Sequence, residues 1–204
     1  MVSRRDFLAA GILSALSPLI CFAAPRGVEV FNQDENDRSI VQVGGYPRTL
    51  WVKRGHDEML IDVYTQDGFS RFAWLSRDIR AGNIIGIPDP HLVRQVVWLQ
   101  ARLAQYGYHR PLVMTSGLRT KSTNESTEGA ARASRHLPRE KILFGQRRQM
   151  VFEAIDIELP GVPSSLLASV ALEAKDGGVG YYGDDGHVHI DSGPVRFWRR
   201  DRHV

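Results

Sequence analysis

The chain has 204 residues, 43% hydrophobic and 24% charged, which suits one globular domain with a real core once a targeting segment is set aside. Its single cysteine, Cys21, falls inside that N-terminal segment, so structural disulfides, a cysteine-type zinc finger and a cysteine nucleophile are excluded for the remainder. The net charge is +3 with His neutral and the pI is about 9.2, but the charges are mixed and form no long basic run. That argues against nucleic acid as a partner and leaves room for another anionic polymer.

The chain opens Ser3-Arg4-Arg5-Asp6-Phe7-Leu8, and an uncharged stretch then runs to Ala24. A charged start followed by an apolar run reads as an export signal. The arginine pair followed by Phe and Leu resembles the twin-arginine signal, which implies the twin-arginine export machinery as a partner and the periplasm as destination. Cleavage is expected after Ala23, with small Cys21 and Ala23 in the recognised positions, so residues 1–23 read as a signal peptide. If uncleaved, this stretch is the chain's expected membrane contact, although Gly11, Ser14, Ser17 and Pro18 make it only modestly apolar for a span. It carries a net +1 of the total +3, which leaves +2.

Residues 24–66 read as a β-rich N-terminal segment. Val28–Phe31, Ile40–Val43, Thr49–Val52 and Met59–Tyr64 are expected strands between Asn, Asp and Gly turns. Phe69–Ile79 reads as a short helix. Pro88-Asp89-Pro90 starts the clearest helix, His91–Tyr106, where Val93, Val96, Val97, Leu99, Leu103 and Tyr106 approximate a 3.6-residue stripe and Gly107 supplies the stop. Pro111–Thr115 is an expected strand ending in the turn Ser116–Arg119, and Thr120–Ser134 reads as helix plus loop. Phe152–Glu158 is an expected strand and Ser164–Ala174 an expected helix. Val179–Tyr182 and His187–Asp191 read as a hairpin around Gly183–Gly186. This order implies an α+β fold, with a small, largely antiparallel sheet flanked by helices.

The densest polar cluster is Gly186-His187-Val188-His189-Ile190-Asp191. Alternation on a strand puts His187, His189 and Asp191 on one face and Val188 and Ile190 on the other. Three ionisable groups on one face need water, partners or a metal. A solvated edge strand is the plainer alternative. Catalytic zinc usually takes three protein ligands and keeps one position open, so one short strand is not enough. His136 and Asp156 are the best additional candidates. Asp156 stands between Ile155 and Ile157, where a carboxylate is costly to bury unless paired or metal-bound.

The C-terminal half closely resembles the murein endopeptidase K family, in the zinc peptidase superfamily of D-Ala-D-Ala peptidases and hedgehog-like proteins. The matching stretches are Ser116–Thr120, Thr123-Asn124, Gly129–Ser134 leading to His136, Ala154–Asp156, Gly177–Tyr182 and Val188–Trp198. Arg77–Ala81 and the Asp89-Pro90 helix start match more weakly, so the resemblance spans about residues 70–198. It implies a zinc peptidase domain over 67–204, with the zinc site at the sheet surface. It implies Zn2+ bound by His136, Asp156 and His189, and Arg119 holding a carboxylate or carbonyl oxygen of the peptide, with Ser116 and Ser134 shaping that site. His187 takes the place of a catalytic residue that does not bind metal, and Asp191 serves either as base or as a residue orienting a ligand. The family usually places the metal Asp seven residues after His; here Asp156 follows His136 by twenty, and about thirteen residues near 139–151 read as an inserted surface loop. The implied activity is zinc-dependent hydrolysis of peptide cross-links between peptidoglycan stem peptides. A D,D- or L,D-carboxypeptidase with the same site, or an inactive wall-binding module, are the alternatives.

Overall fold

The computed structural model describes residues 42–43, 46–143, 147–183 and 185–200. The expected export segment, the expected strand Val28–Phe31 and the start of Ile40–Val43 lie outside them. The elements in chain order are β1 (Gln42–Val43), β2 (Tyr46–Pro47), β3 (Thr49–Arg54), β4 (Asp57–Asp62), α1 (Gln66–Leu75), β5 (Ile87–Pro88), α2 (Pro90–Gln105), β6 (Leu112–Ser116) and α3 (Lys121–Glu125). They continue with β7 (Arg139–Leu143), β8 (Arg147–Phe152), β9 (Ala154–Glu158), α4 (Ser164–Glu173), β10 (Gly178–Tyr182), β11 (His187–Asp191) and β12 (Arg196–Arg200). Among the described residues no helix is long and apolar enough to cross a membrane.

Local chemistry explains the boundaries. The Thr65 hydroxyl caps α1 by accepting from the Gly68 N–H, and α1 stops at Leu75 rather than Ile79. There the Ser76 hydroxyl donates to the Phe72 carbonyl, and the Ser76 carbonyl accepts from the Leu118 N–H across the fold. Asp89 caps α2 by accepting from the His91 N–H, Pro90 stands at its first position, and Gly107 leaves it at φ 87°. Val93, Val96, Val97, Leu99 and Leu103 of the expected stripe are all buried, each contributing about 1.5–3 kcal/mol on burial.

The main sheet has seven strands in the order β12-β10-β11-β9-β6-β3-β4. The β10–β12 and β3–β6 pairs are parallel and the other four antiparallel. The α+β expectation stands, but the sheet is larger and more mixed than the small, largely antiparallel one anticipated. Leu50, Val52, Ile61, Leu112, Met114, Ile155, Ile157, Val179, Val188 and Ile190 join α2 and α4 in one core cluster. The opposite face of the sheet is left for the polar residues.

Two departures bear on the site. Residues 139–143 and 147–151 are strands rather than loop: β7 and β8 pair antiparallel, and β8 also pairs with β5 to make a second, three-stranded sheet. The expected strand Phe152–Glu158 is thereby split at Glu153. The other is β12, an edge strand paired in parallel with β10 and absent from the expected elements.

Candidate metal centre

Register places the polar residues. Across β9 and β11, Asp156 stands directly opposite His189. On β6 the pairing shifts between Met114 and Ser116, so that Met114 faces Ile157 while Ser116 faces Asp156. Such a bulge re-aims a side chain; here it transfers Ser116 from the core side to the polar side. Continuing outward, His189 is opposite Gly180 and Gly180 opposite Trp198. Ser116, Asp156, His189, Gly180 and Trp198 thus form one row across five strands.

His136 reaches this row from a loop. Its ring Nδ1 is 2.6 Å from the Gly117 carbonyl, its own carbonyl accepts from the Arg119 N–H at 3.0 Å, and its N–H donates to the Ser134 hydroxyl at 3.3 Å. Gly117 is needed where it stands: a Cβ there would come within 2.3 Å of the Ser76 carbonyl oxygen.

Three donor atoms converge. His136 Nε2 is 3.1 Å from His189 Nδ1 and 3.2 Å from Asp156 Oδ1, and His189 Nδ1 is 2.9 Å from the same oxygen. The three residues are 1%, 7% and 4% exposed in the order His136, His189, Asp156. The other ring nitrogens are occupied. The Gly117 carbonyl requires a proton on Nδ1 of His136, and Asp191 Oδ2, 3.2 Å from Nε2 of His189, requires one there. The two inward-facing imidazole nitrogens and the carboxylate oxygen therefore need a shared proton or a metal ion between them. Tetrahedral ligands on one zinc stand about 3.3–3.6 Å apart, so a few tenths of an ångström of widening admits the ion. The donor set fits a metal.

Titration follows the same geometry. Burial pushes His136 below its ordinary value. Burial acts on His189 too, but Asp156 and Asp191 outweigh it and raise its pKa. Burial opposes ionisation of Asp156, yet the two histidines hold it well below the usual carboxylate range.

Around the cluster, Arg119 donates from Nη2 to Asp156 Oδ2 at 2.5 Å and from Nε to the Ser116 hydroxyl at 3.0 Å. Asp191 is fully buried and lies on the far side of His189 from the cluster. It accepts from the Gly193 N–H and is paired with both Arg135 and Arg196. Ser134 is buried, and its carbonyl accepts from Arg139. His187 is not among the converging donors; its ring stacks on Tyr182 at 4.6 Å and 17°. Sequence reasoning missed Arg135, Arg196 and Trp198. The pair Gly178 and Gly180 inside a strand was a usable signal, since glycine there marks close approach of another group.

An α+β sheet carrying a buried His-Asp-His cluster beside an arginine is the framework of a metal-dependent hydrolase. Residues 59–198 match the family of peptidoglycan L,D-endopeptidase MepK, and the chain belongs to that family of metallopeptidases. It is 34% identical over 139 residues to peptidoglycan L,D-endopeptidase MepK of Escherichia coli strain K12, covering 66% of this chain and 67% of that protein. It is 30% identical over 130 residues to the probable peptidoglycan L,D-endopeptidase MepK of Haemophilus influenzae, covering 62% of this chain and 61% of that one. No solved structure matches significantly.

Proposed function

We propose that the protein is a zinc-dependent endopeptidase that hydrolyses L,D peptide cross-links between peptidoglycan stem peptides in the periplasm. The carrying observation is the convergence of His136 Nε2, His189 Nδ1 and Asp156 Oδ1 with their outward nitrogens already occupied. Membership of the MepK family and the printed activity of its relatives support the L,D bond and the peptidoglycan substrate. The Arg4-Arg5 pair supports export by the twin-arginine machinery.

In this reading His136, Asp156 and His189 hold zinc, which when bound supplies a Lewis acid and a water of pKa about 7. Asp191 is a positioning residue: it fixes the tautomer of His189 by accepting its Nε2 proton. Arg119, held beside the cluster by Ser116 and Asp156, stabilises oxygen that gains charge as the peptide carbonyl is attacked. Ser134 holds the His136 backbone. His187, on the same strand face as His189, moves the proton to the leaving amine.

Incubating purified protein with L,D-cross-linked muropeptide dimers, with and without chelator, tests this. Release of monomers that stops with chelator and returns with zinc is expected. Release of terminal residues only indicates a carboxypeptidase, and no cleavage contradicts the proposal.

A further inference from the structure

We infer that Trp198 is a substrate-contacting, specificity-determining residue of this site: its indole flanks the His136–Asp156–His189 cluster on the side opposite Arg119 and receives an aliphatic segment of the peptide cross-link. The inference rests on the peptidase reading above.

Trp198 lies on the outermost strand, yet it reaches the centre because Gly180 stands between. A Cβ on Gly180 would lie 2.5 Å from Cε2 and Cζ2 of the indole, so the ring occupies the lane the glycine leaves open. Its centroid is 5.1 Å from that of the His189 ring, tilted by 57°. The ring is pinned at both ends. Its Nε1–H donates to the Tyr182 hydroxyl at 3.2 Å, and the Arg196 guanidinium, itself held by Asp191, lies 4.9 Å from the ring centroid. Tyr182 in turn stacks on His187, extending the wall along the strands.

This ring is only half-buried, and it lies on the sheet face opposite the α2–α4 core. A large apolar surface held rigid beside the polar centre gains most when a ligand covers it. The row is therefore asymmetric: a guanidinium and a hydroxyl at the Arg119–Ser116 end, an indole at the other. A peptide cross-link offers complementary halves, carboxylate or carbonyl oxygens and a stretch of methylenes. The asymmetry sets the direction in which it lies across the His136–Asp156–His189 cluster.

The test compares Trp198→Ala and Trp198→Phe with the wild type on two synthetic cross-linked dimers, one with the full aliphatic cross-linking side chain and one with it shortened. Zinc content and circular dichroism are measured alongside. Removing one hydrophobic contact of this size is expected to lower kcat/KM roughly 10–100-fold. The loss should be carried by KM, with zinc retained, and Trp198→Ala should no longer distinguish the two dimers. Trp198→Phe should keep most of the discrimination. Unchanged KM and unchanged discrimination in a zinc-loaded Trp198→Ala overturn the inference. So does loss of zinc and fold in both variants, which makes Trp198 structural only. If the wild type cleaves neither dimer, the peptidase reading fails and the inference fails with it.

Discussion

His136 Nε2 and His189 Nδ1 face each other across 3.1 Å, each ring having its second nitrogen already engaged, by Gly117 and by Asp191. Such a pair must share a proton or a metal with Asp156, and the choice depends on pH. The raised pKa of His189 means that its proton contributes stability in full below the ordinary value of 6.5 and loses it as pH rises through the folded value. Asp156 acts oppositely, contributing above its ordinary 3.8 and losing that as pH falls.

The metal-free protein should therefore lose thermal stability as pH rises above about 6.5, while the zinc-loaded protein should not, because zinc takes the place of the proton. Melting midpoints with and without chelator check this. The same pH dependence in both forms would contradict it.

Asp191→Asn keeps the shape but removes the charge behind His189. Zinc affinity should fall roughly 10–100-fold, as for other residues that orient a ligand, with the fold retained. Competition with a chromophoric chelator measures it, and an unchanged affinity would refute the positioning role.

Gly180→Ala should force the Trp198 indole out of its lane, since the added carbon would lie 2.5 Å from it. Overpacking of this kind costs about 1–3 kcal/mol. Urea unfolding reads the loss of stability; a variant as stable as the parent would mean that the ring is held less tightly than described.

The inserted hairpin is tied to the site's surroundings. Lys141 on β7 pairs with Asp89 and Glu153, Glu153 also pairs with Arg135, and Arg135 pairs with Asp191. Trimming 139–151 to a short loop should therefore destabilise the protein, because it strips Lys141 from two buried carboxylates and removes buried Val151 from the core. Lys141→Met alone should cost roughly 1–3 kcal/mol, the scale of leaving a buried polar group without its partner. Thermal unfolding of both variants is the check, and a trimmed protein of parental stability would show the hairpin to be dispensable.

Much of this was legible in sequence because the signals are local. The α2 stripe carries its own Asp89 cap and Gly107 stop, and the alternation from His187 to Asp191 separates polar from apolar without reference to other strands. What escaped depends on distant partners. Arg196–Arg200 is assigned no element from sequence, and only parallel pairing with β10 makes it a strand and delivers Trp198 to His189. Residues 139–151 are basic and polar, and become a hairpin because β8 finds β5 and because buried Asp89 and Glu153 need their cations. The Ser116 bulge is equally invisible locally, since it exists only in the pairing of β6 with β9.

The most direct test of the metal centre is zinc analysis of purified wild-type protein beside His136→Ala, Asp156→Ala, His189→Ala and His187→Ala. About one zinc per chain is expected in the wild type and in His187→Ala, with zinc lost from the other three while their secondary structure persists. Zinc retained by His189→Ala and lost from His187→Ala would contradict the account.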